Sequence, residues 1–377
     1  MKPFIIIAAI FQIFTFAMIV HAFVKIKETN NLLLKSRNEK PQNNPSAIII
    51  ALLATAGILF MFSVFAPIVL TQNANYFNFD FTKTGQIGDT VGGLMNPFVA
   101  LAGVIVTGLA FYMQYEANKQ QRDFFYTDQA NRQFESQFYE MLRLHRDNIT
   151  EMKISGYDFD EHLKRIEKNT EGRKVFVTMK TEFECLLSIY KDCNGTIGKR
   201  GFELAYELFF WGIEYFEKTY KDESKFIAQC WKARKQHGDN TNTNRKEFYN
   251  TNLDFNYKPF SGHASRLGHY FRHLYMTVRF VAQSEIVTHY KDRMRFLKIL
   301  RGQLSNHEQT VLFYNWLGEF GAKWEDDKHR FFTEYCMIHN LWYHNLYDDD
   351  SIKESIEELR NKPVTYRKKK MFEMDEE

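Results

Sequence analysis

Three long runs of uncharged, mostly apolar residues dominate the first third of the chain. They cover residues 4–24, 47–70 and 91–113, and none of them contains Asp, Glu, Lys or Arg. Because a helix rises 1.5 Å per residue, each run is long enough to cross a hydrocarbon core of about 30 Å. The pattern predicts three membrane-spanning helices within a membrane region over residues 1–118.

Basic residues predict how these helices are oriented. Lys and Arg recur in the loop at 25–46, whereas the loop at 71–90 holds only Lys83. Loops rich in Lys and Arg stay in the cytoplasm, so the chain after the third run is predicted to be cytoplasmic. A cleaved signal peptide over residues 1–22 is the alternative for the first run, although that run exceeds the usual apolar length.

The third run carries small residues at helical spacing and a helix breaker. Such small-residue faces let helices approach closely in lipid, and a proline inside a helix removes a backbone hydrogen bond and favours a kink. These features are typical of a helix-packing or pore-lining segment, and the alternative is a plain anchor whose glycines serve only contact. The predicted packing residues are Gly88, Gly92, Gly93, Asn96, Pro97 and Gly103.

After the third run the apolar positions recur at steps of three and four, which is typical of amphipathic helices. The first set, from Phe134 to Met152, predicts that the third membrane helix continues into the cytoplasm. No run of strands with turn signals is evident, so the fold class is mainly α, with an all-α cytoplasmic domain over residues 119–361. The further predicted helices cover residues 158–168, 175–190, 202–220, 226–235, 267–281, 286–300, 309–320 and 324–346, with a short last helix from 351.

Polar segments and caps divide these helices. Residues 237–263 are Asn-rich and predict a long surface loop. Capping boxes, in which Ser and Glu stand three residues apart, begin at Ser305 and at Ser351. Residues 362–377 form a charged tail, for which we consider a solvated end or a contact with anionic lipid.

Histidines are frequent in the second half of the chain, but they form no metal-binding motif. His269 and His273 share a helix face at a spacing of four, and residue 270 is Tyr, so there is no HExxH. None of the four cysteines forms a CxxC pair. The sequence therefore predicts no metal and no cofactor, and it keeps His269 and His273 only as weak catalytic candidates.

An RNase of the HEPN type is the one enzyme that we consider, because its helical domain uses an Arg followed within a few residues by a His. Arg would hold the phosphate and His would transfer the proton. Arg266 with His273 and Arg301 with His307 fit, which is about what chance placement gives. Arg301 and His307 are the better candidates because they join a helix end to a capping box. The net charge of +3 does not by itself imply a nucleic-acid partner, and that partner stays open.

Several blocks together resemble the AbiC-like family of phage abortive infection proteins. They are FDF at 79–81, TGQIGDTVGGLMNPF at 84–98, AFYMQYEAN at 110–118, the helical block at 134–152, GHYFRHLY at 268–275, LRGQLSN at 300–306 and LFYN at 312–315. The resemblance covers about residues 50–350. The first apolar run departs from it, since the family more often has two spans.

The resemblance implies a bacterial inner-membrane protein of anti-phage defence and brings no catalytic residues. We therefore expect a multi-pass protein whose cytoplasmic helical domain senses infection or a partner and triggers growth arrest or death, with membrane disruption as the route. A membrane-tethered HEPN-like RNase and a non-enzymatic scaffold are the alternatives, and the motifs favour a protein that is not an enzyme. The expected partners are the lipid bilayer, a phage or host protein as trigger, and further copies of the chain.

Overall fold

The computed structural model describes residues 45–72, 84–162, 165–238, 255 and 257–375. The chain divides into two compact units, residues 1–127 and residues 128–377. The predicted span at 4–24 and most of the Asn-rich loop lie outside the described residues. Residues 257–263, at the end of that loop, are described and form no helix.

The described part of the first unit is helical. Helix α1 (Pro45–Gln72) contains the second predicted span, and helix α2 (Thr84–Glu151) contains the third and ends in the second unit. Within the described residues one helix, α2, is long and apolar enough to cross a membrane, and only 11% of its apolar window is buried. Three spanning helices are therefore not confirmed, whereas the continuation of the third run as one long helix is confirmed.

The second unit adds a hairpin and eight further helices of α type within the described residues. The hairpin consists of β1 (Lys153–Phe159) and β2 (Arg165–Glu171). The helices are α3 (Lys174–Asn194), α4 (Gly198–Trp211), α5 (Ile213–Thr219), α6 (Ser224–Gly238), α7 (Ala264–Ala282), α8 (Tyr290–Arg301), α9 (Asn306–Leu317) and α10 (Asp350–Asn361).

The hairpin replaces the short helix predicted over 158–168, so that prediction is wrong. Its strands are antiparallel, with Lys153 opposite Glu171 and Phe159 opposite Arg165. Along β1, Ile154 and Tyr157 are buried, whereas Lys153 and Ser155 are exposed. The two buried residues are three apart and so lie on opposite faces of the strand, which gives no alternation by which the sequence could reveal it.

The predicted helix over 202–220 is broken into α4 and α5 at Gly212. Gly212 has φ of 92°, a conformation that helices of L-residues do not adopt. A Cβ at this position would lie 2.8 Å from the backbone of Ser261, so a larger residue would clash. The break therefore makes room for the segment that ends the Asn-rich loop.

The predicted long helix over 324–346 is also wrong. This segment contains short 3-10 turns at Ala322–Trp324 and Tyr343–Asn345, with irregular turns between them. A buried carboxylate, Glu325, accepts backbone N–H groups of Phe332 and Thr333, each at 3.0 Å. These bonds satisfy the backbone in place of helical ones, so the aromatic residues pack without a helix.

One predicted cap is confirmed and the other is wrong. Ser305 and Glu308 form the capping box at the start of α9. At α10 the cap is Asp349, whose side chain accepts from the N–H of Ser351. Asp349 was not predicted because Ser351 and Glu354 match the capping-box pattern two residues later.

The charged tail is partly built into the second unit. Met371 and Phe372 are buried, and Arg360 pairs with Asp375 at 2.6 Å. The expectation of a wholly solvated end is therefore wrong for these residues. The buried apolar pair fixes the chain directly after the tail's basic run.

Aromatic side chains form the centre of the second unit. Phe183 on α3 contacts rings from α4 and α9 at centroid distances of 5.0 to 5.5 Å; they belong to Phe202, Tyr206, Phe209 and Tyr314. Phe134 on α2 stacks on Phe280 of α7 at 4.9 Å. Rings fill large volumes with few rotamers, so these contacts fix the helices around α3.

Candidate functional site

A buried carboxylate, Glu182, ties the end of the Asn-rich loop to α3. Its side chain has no exposed surface. Glu182 accepts the hydroxyl of Tyr257, the N–H of Phe260 at 2.7 Å and Nε2 of His263 at 3.2 Å. Because an ionised carboxylate only accepts, Nε2 of His263 carries a proton. Three partners within one short segment thus converge on a single side chain.

Electrostatics favours the ionised form of Glu182. Burial alone would raise its pKa, but attraction to His263 and the hydrogen bonds from His263, Tyr257 and Phe260 together lower the pKa below its ordinary value. The carboxylate is therefore charged at neutral pH although it is buried. Such a charge is tolerated in a protein interior only when it is paired and hydrogen-bonded, as it is here.

The segment held by Glu182 packs backbone against backbone on the break between α4 and α5. Phe260 accepts the N–H of Ile213 and Phe210 accepts the N–H of His263, both at 2.9 Å. Gly262 has φ of 87°, and a Cβ there would lie 2.7 Å from the backbone of Trp211. The approach is so close that only glycine fits.

A second buried polar group lies where α2 meets α7. His145 of α2 is buried, and neither of its ring nitrogens has a hydrogen-bond partner among the described residues. Its ring centroid lies 6.2 Å from that of His273 and 5.3 Å from that of Tyr270. The predicted candidate His273 is therefore half of a stacked histidine pair, whereas His269 is exposed on the same helix.

The pair is neutral at physiological pH. Burial, together with the smaller effects of His273 and Arg173, lowers the pKa of His145 to about 4. Burial also lowers the pKa of His273. Two uncharged imidazoles can exchange a proton with a ligand, but the described residues here form no group of three metal-ligating side chains.

Next to this pair, the confirmed capping box has an additional partner. Tyr270 donates its hydroxyl to Glu308 at 3.1 Å, and Ser305 donates to the same carboxylate from both its N–H and its hydroxyl. Arg173 lies 3.7 Å away. Glu308 thus joins α7 and α9 as well as capping α9.

Arg301 and His307 contact different neighbours. Nη1 of Arg301 donates to the carbonyl of Cys336 at 3.2 Å. His307 is half-buried, and burial followed by the charge of Lys180 lowers its pKa. Nδ1 of His307 has no partner among the described residues. Their joint action on RNA stays a prediction.

The glycines of the third predicted span are open. A Cβ added to Gly88, Gly92, Gly93 or Gly103 would meet no atom of the described residues within 4 Å. Asn96 and Pro97 are exposed on the same helix. Helices α1 and α2 instead meet through rings such as Phe62 and Phe98, at 5.0 Å. The role of these glycines in helix packing stays a prediction.

Sequence reasoning did not identify Glu182 as a buried polar contact, and it did not identify His145 as a buried histidine whose ring nitrogens have no hydrogen-bond partner among the described residues. Both lie on the apolar stripe of an amphipathic helix, Glu182 in line with Met179 and Leu186, and His145 in line with Phe138 and Ile149. A charged or polar residue in such a stripe is the signal for a buried polar contact, because it must find partners inside the protein.

The structure describes a helical unit with internal polar clusters and a long helix, α2, that exposes an apolar stretch long enough to cross a membrane. Residues 262–346 match the family described as "Putative phage abortive infection protein". The match confirms the resemblance to AbiC-like proteins over this segment, which includes His263, His273, Arg301 and His307. Neither the comparison with curated proteins nor that with solved structures gave a match.

Proposed function

We propose that this protein is a membrane-anchored abortive-infection protein of bacteria. It lies in the inner membrane as a multi-pass protein with its helical unit in the cytoplasm. That unit senses infection, and the output is growth arrest or death of the infected cell before the phage is released. The observation that carries the proposal is one helix, α2, which exposes an apolar stretch and ends inside the unit that matches the family.

The exposed surface of α2 supports the membrane anchor. Val104 and Phe111 are 69% and 68% exposed, respectively. Each square ångström of apolar surface left in water costs about 25 cal/mol, so such a face favours lipid. Tyr112 and Tyr115 follow at the end of the apolar stretch, where aromatic residues favour the membrane interface, and Lys119 lies beyond them.

The proposed route to cell death is a repacking of this helix. A change in the helical unit would act on α2, whose residue His145 is buried there. The open faces of Gly88 and Gly92 would then engage other helices and breach the membrane. Pro97 supplies a weak point in the backbone hydrogen bonding of α2.

The proposed partners are the lipid bilayer, a phage or host protein that acts as the trigger, and further copies of the chain. A homo-oligomer fits the open glycine face, since identical helices can pack closely along small residues. No cofactor is invoked.

A membrane-tethered RNase using Arg301 and His307 is the second candidate. The observation in its favour is that Arg301 has positively charged neighbours. The charges of Arg301, Lys298 and Arg367 all act to lower the pKa of the same thiol, Cys336, against the effect of burial. A non-enzymatic scaffold that only recruits a partner is the third, and it predicts that the chain alone causes no arrest.

The proposal is tested by fractionation and by infection of the same cells. Cells producing the full chain are lysed, and the membranes are washed with alkaline carbonate. The chain should stay in the membrane fraction, and infected cells should stop growing before phage release. A chain found in the soluble fraction, or unchanged plaque numbers for every phage of a broad panel, would contradict the proposal.

A further inference from the structure

A basic surface forms where the end of α8 meets the charged tail. We define it as Lys298, Arg301, Arg367, Lys368, Lys369 and Lys370. The three tail lysines and Lys298 are exposed, and the two arginines are half-buried. The net charge of the whole chain, +3, conceals this local concentration of positive charge.

A ring contact shows that the start of α8 lies beside the tail, because Tyr290 stacks on Tyr366. At the other end of α8, Arg301 donates to the Cys336 carbonyl at 3.2 Å. Burial raises the pKa of the Cys336 thiol, and the positive charges of Arg367, Arg301 and Lys298 act in the opposite direction.

The basic run of the tail is held at both ends. Before it, the carboxylate of Glu334 accepts the backbone N–H groups of Thr365, Tyr366 and Arg367, at 2.9, 2.5 and 2.7 Å. After it, Met371 and Phe372 are buried in the core. The run between these anchors is fixed on the surface, so little conformational entropy is lost when it binds a partner.

An exposed aromatic ring borders the basic run. Tyr366 is 61% exposed and stacks on Tyr290, with ring centroids 5.7 Å apart and ring planes 25° apart. Tyr290 in turn lies 5.6 Å from Tyr335. The stack supports Tyr366 from one side and leaves most of its surface open.

Carboxylates also lie near this surface, and the sequence places Glu373, Asp375, Glu376 and Glu377 after the basic run. Glu334 is buried and its oxygens already accept three N–H groups. Asp375 pairs with Arg360, and Glu373 accepts from Asn340. Asp292 is exposed in the first turn of α8, and it is the acidic group that faces solvent on that helix.

We propose that this basic surface binds single-stranded RNA. Adjacent cations neutralise consecutive phosphates, and an open aromatic ring provides a stacking position for a base. A base can stack on Tyr366 only when it is unpaired, and unpaired bases are common in RNA but not in cellular DNA. The inference goes beyond the defence function and does not depend on cleavage.

The test measures binding of a fluorescently labelled uridine dodecamer to the full chain in neutral detergent, by anisotropy over a range of salt concentrations. The triple variant K368Q, K369Q and K370Q should weaken binding by about tenfold or more and reduce the salt slope by about 2, because each lost phosphate contact contributes roughly 0.7. Y366A should weaken binding by about fivefold to a hundredfold with an unchanged slope, since stacking releases no counterions.

The matched control is the triple variant K218Q, K221Q and K323Q, which removes three exposed lysines elsewhere on the same unit. It should bind RNA as the wild type does, and tryptophan fluorescence should show all variants folded. RNA binding that is equal in the two triple variants would overturn the proposal. So would tighter binding of a thymidine DNA dodecamer, or binding to phosphatidylglycerol vesicles that depends on the tail lysines when RNA binding does not.

Discussion

Nε2 of His263 lies 3.2 Å from Oε2 of Glu182, and both side chains are buried. The pair joins α3 to the first residues of the family-matched segment, which begins at residue 262. It therefore connects a helix outside the matched segment to its start. The break after Trp211, the close approach at Gly262 and this hydrogen bond act together to position one turn of chain.

Replacing Glu182 with Gln should destabilise the second unit by about 3 kcal/mol. The variant breaks a buried pair and leaves donors from His263 and Tyr257 competing for one amide oxygen. All five tryptophans lie in this unit, so their fluorescence during denaturation of the full chain in detergent reports it selectively. E354Q, at an exposed position, is the control, and equal stability of the two variants would contradict the role of the clamp.

The carboxylate of Glu182 also predicts that the stability of the fold depends on pH below about 4.5. Because folding lowers the pKa of Glu182 from 4.5, its stabilisation is complete above that pH and is lost as pH falls through the folded value. E182Q should therefore lose less stability than the wild type below pH 4.5. A stability difference between the two that stays constant down to acid pH would contradict this assignment.

His145 predicts a second loss of stability, at higher pH. Its folded pKa of about 4 lies below the ordinary value of 6.5, so the unfolded chain takes up a proton first as pH falls. Between pH 7 and 5 the wild type should lose about 2 kcal/mol through this one group. H145L should flatten the profile in that range, whereas H269L, at an exposed site of α7, should leave it unchanged.

Two glycines of the matched segment should respond in opposite directions to alanine. G262A places a Cβ 2.7 Å from the Trp211 backbone at φ of 87°, so it should lower the free energy of unfolding by about 2 kcal/mol. G268A lies within α7, where its Cβ meets none of the described residues within 4 Å, so it should raise the free energy of unfolding by about 0.5 kcal/mol. Thermal unfolding of both variants checks this, and a tolerated G262A would show that the close approach is not maintained.

The glycine face of α2 should be needed for arrest but not for production of the protein. A Cβ at Gly88 or Gly92 meets none of the described residues within 4 Å, whereas a leucine side chain there would block close approach of another helix. The double variant should reach normal membrane levels, and infected or overproducing cells should survive as empty-vector cells do. V99L, an exposed position on the same helix, is the control. Arrest as strong as that of the wild type would rule out this route.

Periodicity predicted the long helices because a helix that is buried on one side has an apolar residue at every third or fourth position. Thus α2 could be followed from its apolar run to Ile149, and α3 and α7 were predicted within four residues of their ends. Where the structure departs from the sequence pattern, contacts outside the helix pattern decide. The α4–α5 break depends on the distant Ser261, and the turns after Trp324 depend on hydrogen bonds of Phe332 and Thr333 to Glu325.

The candidate sites follow the same rule. The capping box at Ser305 is local and was predicted, whereas the Tyr270 bond to the same carboxylate spans 38 residues and was not. His273 was chosen for its spacing to His269, yet its stacking partner is His145 on another helix. Single-sequence spacing cannot show which helix faces overlap.

The membrane potential of infected cells tests the central claim most directly. A voltage-sensitive dye is followed in cells that carry the full chain, before and after phage challenge, while cellular RNA is examined in parallel. The account predicts depolarisation before lysis with RNA intact, and no depolarisation in the Gly88 and Gly92 double variant. Polarised cells with degraded RNA would contradict it and favour cleavage through Arg301 and His307, and polarised cells with intact RNA and no arrest would favour the scaffold.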